Sequence, residues 1–155
     1  MLNSRNLEDL TFETAAKALA FIAGCEEKGI EILITSTLRD FESQAALYAQ
    51  GRTVPGRIVT NADAGFSYHN YGVAFDFVPI VNGKCIWNDD QLWAKCGLVA
   101  REVGLEWGGH WKFEDKPHCQ NTGGQTIADL RANVPVSQFA ANGSQQQIVP
   151  VNVGA

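Results

Sequence analysis

The chain is short of several features that would have fixed its class at once. No apolar run approaches the roughly 18 residues that a membrane-spanning helix requires, so none of the 155 residues reads as part of a span. Lysine and arginine number 12 against 17 acidic residues, the formal net charge is −5, and no basic block occurs. Phosphate binding needs clustered positive charge, so nucleic acid is not expected as a partner. The four cysteines, Cys25, Cys85, Cys96 and Cys119, form no C-x-x-C pair, which argues against a cysteine zinc finger. With no visible export signal, they are expected to be reduced thiols. Ile22-Ala23-Gly24-Cys25 has the look of a lipid-attachment box. Glu8, Asp9, Glu13 and Lys17 spoil the basic start and unbroken apolar stretch that such a signal needs, so no signal peptide is expected and Cys25 is read as a small buried residue.

What is present suits a folded domain. The apolar fraction is 45%, and four tryptophans, three tyrosines and eight phenylalanines are spread along the chain. This length buries a core without disulfides. Residues 12–28 read as a helix with an apolar stripe at Ala16, Leu19, Ala20 and Ala23, stopped by Gly29. Residues 30–35 are β-branched and short, hence a strand. Asp40 caps a second helix over 41–50, closed by Gly51. Residues 51–72 lack a period and are rich in glycine, so they form a long loop of the kind that carries function.

Residues 73–80 alternate as a strand, which plants the carboxylate of Asp76 among apolar neighbours. Asn82-Gly83 is a turn signal with a return over 84–87. A third helix starts at Asn88, with Gln91 completing a capping box. Leu92, Cys96, Val99 and Val103 form its stripe, Trp93 is read as core, and Gly104 ends it. Residues 105–120 show no period. From about 121 the composition shifts to Asn, Gln, Gly, Ala and Val. The organisation expected is one domain over 1–125 and an extension over 126–155, a short helix at most followed by a weakly ordered tail. A few helices, a small antiparallel sheet and long loops make an α+β domain.

The only histidines are His69, His110 and His118, all within or beside the irregular stretches. A zinc hydrolase wants three ligands of the His/Asp/Glu type and one open position. His69, Asp76 and His118 would supply that set if the second irregular stretch folds over the strand. A carboxylate that is not a ligand must then move the proton, and Asp115, three residues before His118, is placed for it. From spacing alone an alternative stands beside this: Asp76 as a buried hydrogen-bonded carboxylate and the histidines as ordinary loop residues.

Ser67-Tyr68-His69-Asn70-Tyr71-Gly72-Val73-Ala74-Phe75-Asp76 resembles the S-x-H-x-x-G-x-A-x-D signature of the VanY-like zinc peptidases, and Asp115-Lys116-Pro117-His118 resembles that family's second signature. Ser36-Thr37-Leu38-Arg39, Glu42 with Gln44, Gln50-Gly51-Arg52-Thr53, 58–62 and Leu105-Glu106-Trp107-Gly108-Gly109 are similar to the L-alanyl-D-glutamate endopeptidase branch, which includes many bacteriophage endolysins. The resemblance runs over roughly residues 10 to 120.

It implies the hedgehog/D-Ala-D-Ala-peptidase-like fold. It implies zinc on His69, Asp76 and His118, Asp115 as general base, and Arg39 steadying a developing oxyanion, the last a role that suits a fixed guanidinium. Ser67, Gln44, Trp107 and His110 are expected near the substrate, and Trp111 beside them. His110 departs from the family text, which usually carries Asp there. Cys119 is expected to point away from the metal. The function implied is cleavage of the peptidoglycan stem peptide, at the L-alanyl-D-glutamate bond, by a monomeric phage endolysin. Such a protein is made in the host cytoplasm and acts on the wall at lysis. The alternatives are a D-alanyl-D-alanine carboxypeptidase or dipeptidase on the same fold, and a non-catalytic zinc module.

Overall fold

The computed structural model describes residues 1–134. Along them run α1 (Phe12–Glu27), β1 (Glu31–Ser36), α2 (Phe41–Ala49), β2 (Ala74–Val81), β3 (Lys84–Cys85), α3 (Asp90–Glu102), β4 (Glu106–Trp107), β5 (His118–Gln120) and α4 (Ile127–Ala132). The sheet has the order β1-β2-β5-β4, with β3 paired to the far end of β2, and every pairing is antiparallel. This is the expected α+β arrangement of a small antiparallel sheet with helices on it. The short helix foreseen after 126 is α4. The weakly ordered tail expected beyond it falls, from 135 onward, outside the described residues.

β2 is the spine. Its Ala74, Phe75, Phe77 and Val78 are fully buried, because β1 and β5 flank it and α1 and α3 cover one face. Phe21 of α1 meets Phe77 edge-on at 4.8 Å between ring centroids, and Phe77 meets Trp93 of α3 at 5.4 Å. Each buried aromatic contributes about 1.5–3 kcal/mol through lost water contact. Cys25, Cys96 and Cys119 fill the space around these rings as free thiols, and the exposed Cys85 is free as well.

Three local expectations are corrected. The buried face of α1 is Thr14, Ala18, Phe21 and Cys25, while Ala16, Leu19, Ala20 and Ala23 face outward. Both sets have helical spacing; the sheet takes the one that offers the volume of Phe21. The cap of α3 is Asp89, whose side chain accepts from the amide of Leu92, not Asn88. Residues 105–120 contain β4 and β5, strands too short to show a period. By contrast Asp40 caps α2 as expected, accepting from the Ser43 amide at 2.7 Å. Asn82 and Gly83 both take positive φ, as a tight hairpin turn between β2 and β3 demands.

Candidate metal centre

His69 sits on a 3-10 turn, Tyr68–Tyr71, just before β2. Ser67 opens the turn: its hydroxyl accepts from the His69 amide at 3.2 Å, and Asn70 Oδ1 accepts from the Ser67 amide at 3.2 Å. Gly72 closes it with φ of +70°. That left-handed conformation is what calls for glycine; a Cβ there would be only slightly tight, 3.3 Å from Asp9 O. The turn is tied to the segment after β1 by the Arg39 amide, which donates to His69 O at 3.0 Å, and by Asn70 Nδ2, which donates to Arg39 O at 2.9 Å.

Strand register brings in the other two groups. Asp76 lies directly opposite His118 across β2 and β5. His69 Nε2 is 3.2 Å and His118 Nδ1 is 3.4 Å from the same oxygen, Asp76 Oδ1, and one ligand atom from each residue lies within 4.8 Å of the others. Donors around a tetrahedral ion at about 2.1 Å stand about 3.4 Å apart. Two imidazoles and a carboxylate at this spacing therefore fit a divalent cation. The backs of both rings are fixed as well. His69 Nδ1 faces the carbonyl of Thr37 at 2.8 Å, so it carries the ring proton and leaves Nε2 free for the metal. His118 Nε2 faces Gln120 Oε1 at 2.8 Å.

Burial pushes the Asp76 carboxyl up, but hydrogen bonds from His118 and His69 outweigh it and hold it well below the usual carboxylate range. Burial lowers His118, and its bond to Asp76 more than restores it, so its pKa is raised. Burial raises the carboxyl of Asp115.

Asp115 lies at the mouth of the site with 53% of its side chain exposed, Oδ2 4.0 Å from His118 Nδ1. Its amide donates to Gly108 O at 2.9 Å. A Cβ at Gly108 would meet Asp115 O at 2.4 Å, so only glycine lets these strands of chain come so close. Arg39 is 11% exposed and reaches Asp76 Oδ2 at 4.0 Å through Nη2. It also donates to Ser36 Oγ at 3.2 Å and to Gln44 Oε1 at 2.9 Å, while its buried Nε has no partner. Burial lowers its pKa, with Asp76 opposing. His69, Asp76, His118, Asp115 and Arg39 border one open cleft of about 900 Å³, together with Tyr48, Asp63, Ser67, Trp111 and Gln120.

Three of the expected substrate neighbours stand elsewhere. Gln44 is fully buried behind Arg39, with Nε2 donating to Ala62 O at 2.7 Å; it braces the guanidinium and the 60–62 loop. Trp107 is buried in the core, wedged so that a Cβ at Gly97 or Gly109 would come within 2.1 or 2.2 Å of its indole. Its Nε1 donates to Lys116 O at 2.7 Å and so anchors the Asp115–His118 turn. His110 is exposed and packs edge-on against Trp107 at 4.9 Å, away from the cleft. Cys119 points into the core, as expected of the neighbour of a ligand on a strand. The sequence reading missed Gln120 and Glu106. The alternation His118-x-Gln120 would have placed Gln120 on the ligand's face had β5 been seen as a strand.

Residues 60–121 match the family model described as D-alanyl-D-alanine carboxypeptidase. The chain is 43% identical over 111 residues to the peptidoglycan L-alanyl-D-glutamate endopeptidase CwlK of Bacillus subtilis (strain 168), covering 65% of this chain and 66% of that protein. It is 36% identical over 119 residues to the L-alanyl-D-glutamate peptidase of Listeria phage A118, covering 74% of this chain and 39% of that one. The match thus spans less than two thirds of the length of either relative. Among solved structures, the Serratia marcescens L-Ala D-Glu endopeptidase ChiX superposes with a TM-score of 0.56 at 22% identity, covering 84% of this chain and 92% of that one. The LdcB LD-carboxypeptidase superposes with a TM-score of 0.56 at 16% identity, covering 92% of this chain and 79% of that one. These two likenesses are of fold.

Proposed function

For a chain that belongs to the peptidase family carrying the D-alanyl-D-alanine carboxypeptidase description, we propose a zinc-dependent endopeptidase that cuts the stem peptide of bacterial peptidoglycan between L-alanine and D-glutamate. The observation that carries it is the convergence of His69 and His118 on Asp76 Oδ1 at 3.2 and 3.4 Å, with Asp115 beside them on an open cleft. The choice of bond is supported by what the Bacillus and Listeria phage relatives are named for.

His69, Asp76 and His118 would hold the cation. Bound there, it supplies Lewis acidity and a more acidic water. The chain's own residues do the rest. Asp115 stands where it can accept the proton of an attacking water at Oδ2 and pass it to the leaving amine. Arg39, held by Ser36 and Gln44, offers its fixed positive charge to the negative charge that grows on the peptide oxygen. Ser67 keeps the His69 turn in shape. The open cleft suits an extended peptide held along a polymer.

The working unit in this reading is a single copy acting on peptidoglycan, with residues 1–125 as the catalytic domain and 126–155 as an extension. Synthesis in a bacterial host's cytoplasm and action on the wall as an endolysin extend the reading; their support is the one phage relative. The test is mass spectrometry of purified wall peptides digested by zinc-loaded protein, with a chelated control. New amino-terminal D-glutamate that vanishes on chelation is expected. Release of free D-alanine would move the protein to the carboxypeptidase activity for which the matched family model is named.

A further inference from the structure

We propose that Glu106, acting through Gln120, fixes the ring tautomer of His118 and thereby selects the nitrogen offered to the metal. The inference rests on the metal-centre reading above.

The three side chains form one line of hydrogen bonds. Glu106 and Gln120 are paired directly across β4 and β5, and His118 is two residues from Gln120 on the same strand face. Gln120 Nε2 donates to Glu106 Oε2 at 2.7 Å, and Gln120 Oε1 faces His118 Nε2 at 2.8 Å. Thr122 Oγ1 donates to the other oxygen, Glu106 Oε1, at 3.1 Å. Gln120 and His118 are buried, and Glu106 reaches them from the exposed end.

The direction of the line follows from what each group can do. An ionised carboxylate only accepts. The amide NH₂ of Gln120 must therefore face Glu106, which turns its carbonyl oxygen toward His118. That oxygen accepts, so Nε2 must carry the ring proton and Nδ1 keeps its lone pair. This matters because the other side of the ring pulls the opposite way. Nδ1 lies 3.4 Å from Asp76 Oδ1 and 4.0 Å from Asp115 Oδ2, both acceptors that would welcome a proton there. A neutral ring with its proton on Nδ1 has no lone pair for a cation at that position. His69 is protected from the same error by a backbone carbonyl, that of Thr37. His118 depends on side chains, so its protection can be removed by substitution. Glu106 and Gln120 are positioning residues, since neither reaches the cleft's reacting atoms except through His118.

The experiment compares wild type with Glu106→Gln, which keeps shape at an exposed position but restores a donor, and with Gln120→Leu. Long-range ¹H–¹⁵N NMR on the metal-free proteins, at a pH high enough that the His118 ring is neutral, reads its tautomer, and titration with zinc chloride near neutral pH reads affinity. Wild type should show the proton on Nε2. Glu106→Gln should show a mixture shifted toward Nδ1, and both variants should bind zinc about 10- to 100-fold more weakly. Unchanged tautomer and unchanged affinity in folded Glu106→Gln would overturn the proposal. So would weaker zinc binding with the tautomer unmoved, which would make Glu106 a packing residue. A wild type that binds no zinc would sink the metal reading, while the tautomer comparison would still decide this one.

Discussion

At the scale of single residues, the proposed site separates groups that would hold the cation from groups that would act beside it. Asp115→Ala should leave zinc affinity unchanged and lower cleavage of wall peptide by about 10²- to 10⁴-fold, the usual weight of a proton-transferring group. Normal digestion by that variant would end its assignment as base. Arg39→Lys keeps the charge but loses the fork that spans Ser36 and Gln44. Its turnover should fall about 10²- to 10³-fold with little change in KM, since the lost contact is to charge that develops during the reaction. The clustering of His69, Asp76 and His118, with Asp115 beside them, was legible in the sequence because two short signatures hold all four. Trp107 and His110 were misplaced because nearness along the chain was taken for nearness in space, and Gln44, expected from the resemblance, is buried behind Arg39. Trp107 stands on β4 with its ring turned into the core, and this carries His110 to the far side.

At the scale of elements, caps and close approaches set the costs. Asp40 closes the amino end of α2 and also accepts from the Leu2 amide at 2.7 Å. Asp40→Ala should cost about 1 kcal/mol in urea denaturation at neutral pH. Burial pushes the Asp40 carboxyl up, but the amides of Ser43 and Leu2 outweigh it, so the folded value lies below the ordinary 3.8. A depressed carboxyl adds stability above its ordinary value and loses it as pH falls through the folded one. The gap between wild type and Asp40→Ala should therefore narrow in acid, and a gap that widens there would contradict the capping bond. Gly97 of α3 offers a sharper case. Glycine to alanine in a helix normally gains about 1 kcal/mol. Here the new Cβ would come 2.1 Å from the Trp107 ring, which is buried and tethered by its bond to Lys116. Overpacking of that kind costs about 1–3 kcal/mol, so Gly97→Ala should destabilise by the same denaturation measurement. Helix α2 was readable from its cap, α3 from its apolar stripe and strand β2 from its alternation. The face of α1 was not, because its alanines form a stripe as regular as the buried one.

At the scale of the whole molecule, the α+β class could be read from the mix of helices, one strong strand and long loops. The sheet order could not, since β4 and β5 are two and three residues long and gain their identity only by pairing. The proposed ion links the turn before β2, the strand itself and β5. A ligand present at 100 times its Kd adds about 2.7 kcal/mol, so chelation should lower Tm clearly, as scanning calorimetry would read; equal Tm with and without chelator would show that no ion is held. The pairing of Asp76 with His118 also has a consequence for how the protein comes into being. A hairpin, α3 and β4 separate the two residues in the chain, so the ribosome releases the first long before the second. Until β5 emerges and slots beside β2, the nascent chain has a fold in progress but no complete set of donors. In the proposed reading, hydrolytic power would arrive at one late moment of synthesis, and a chain broken off before His118 would lack one of the three proposed ligands.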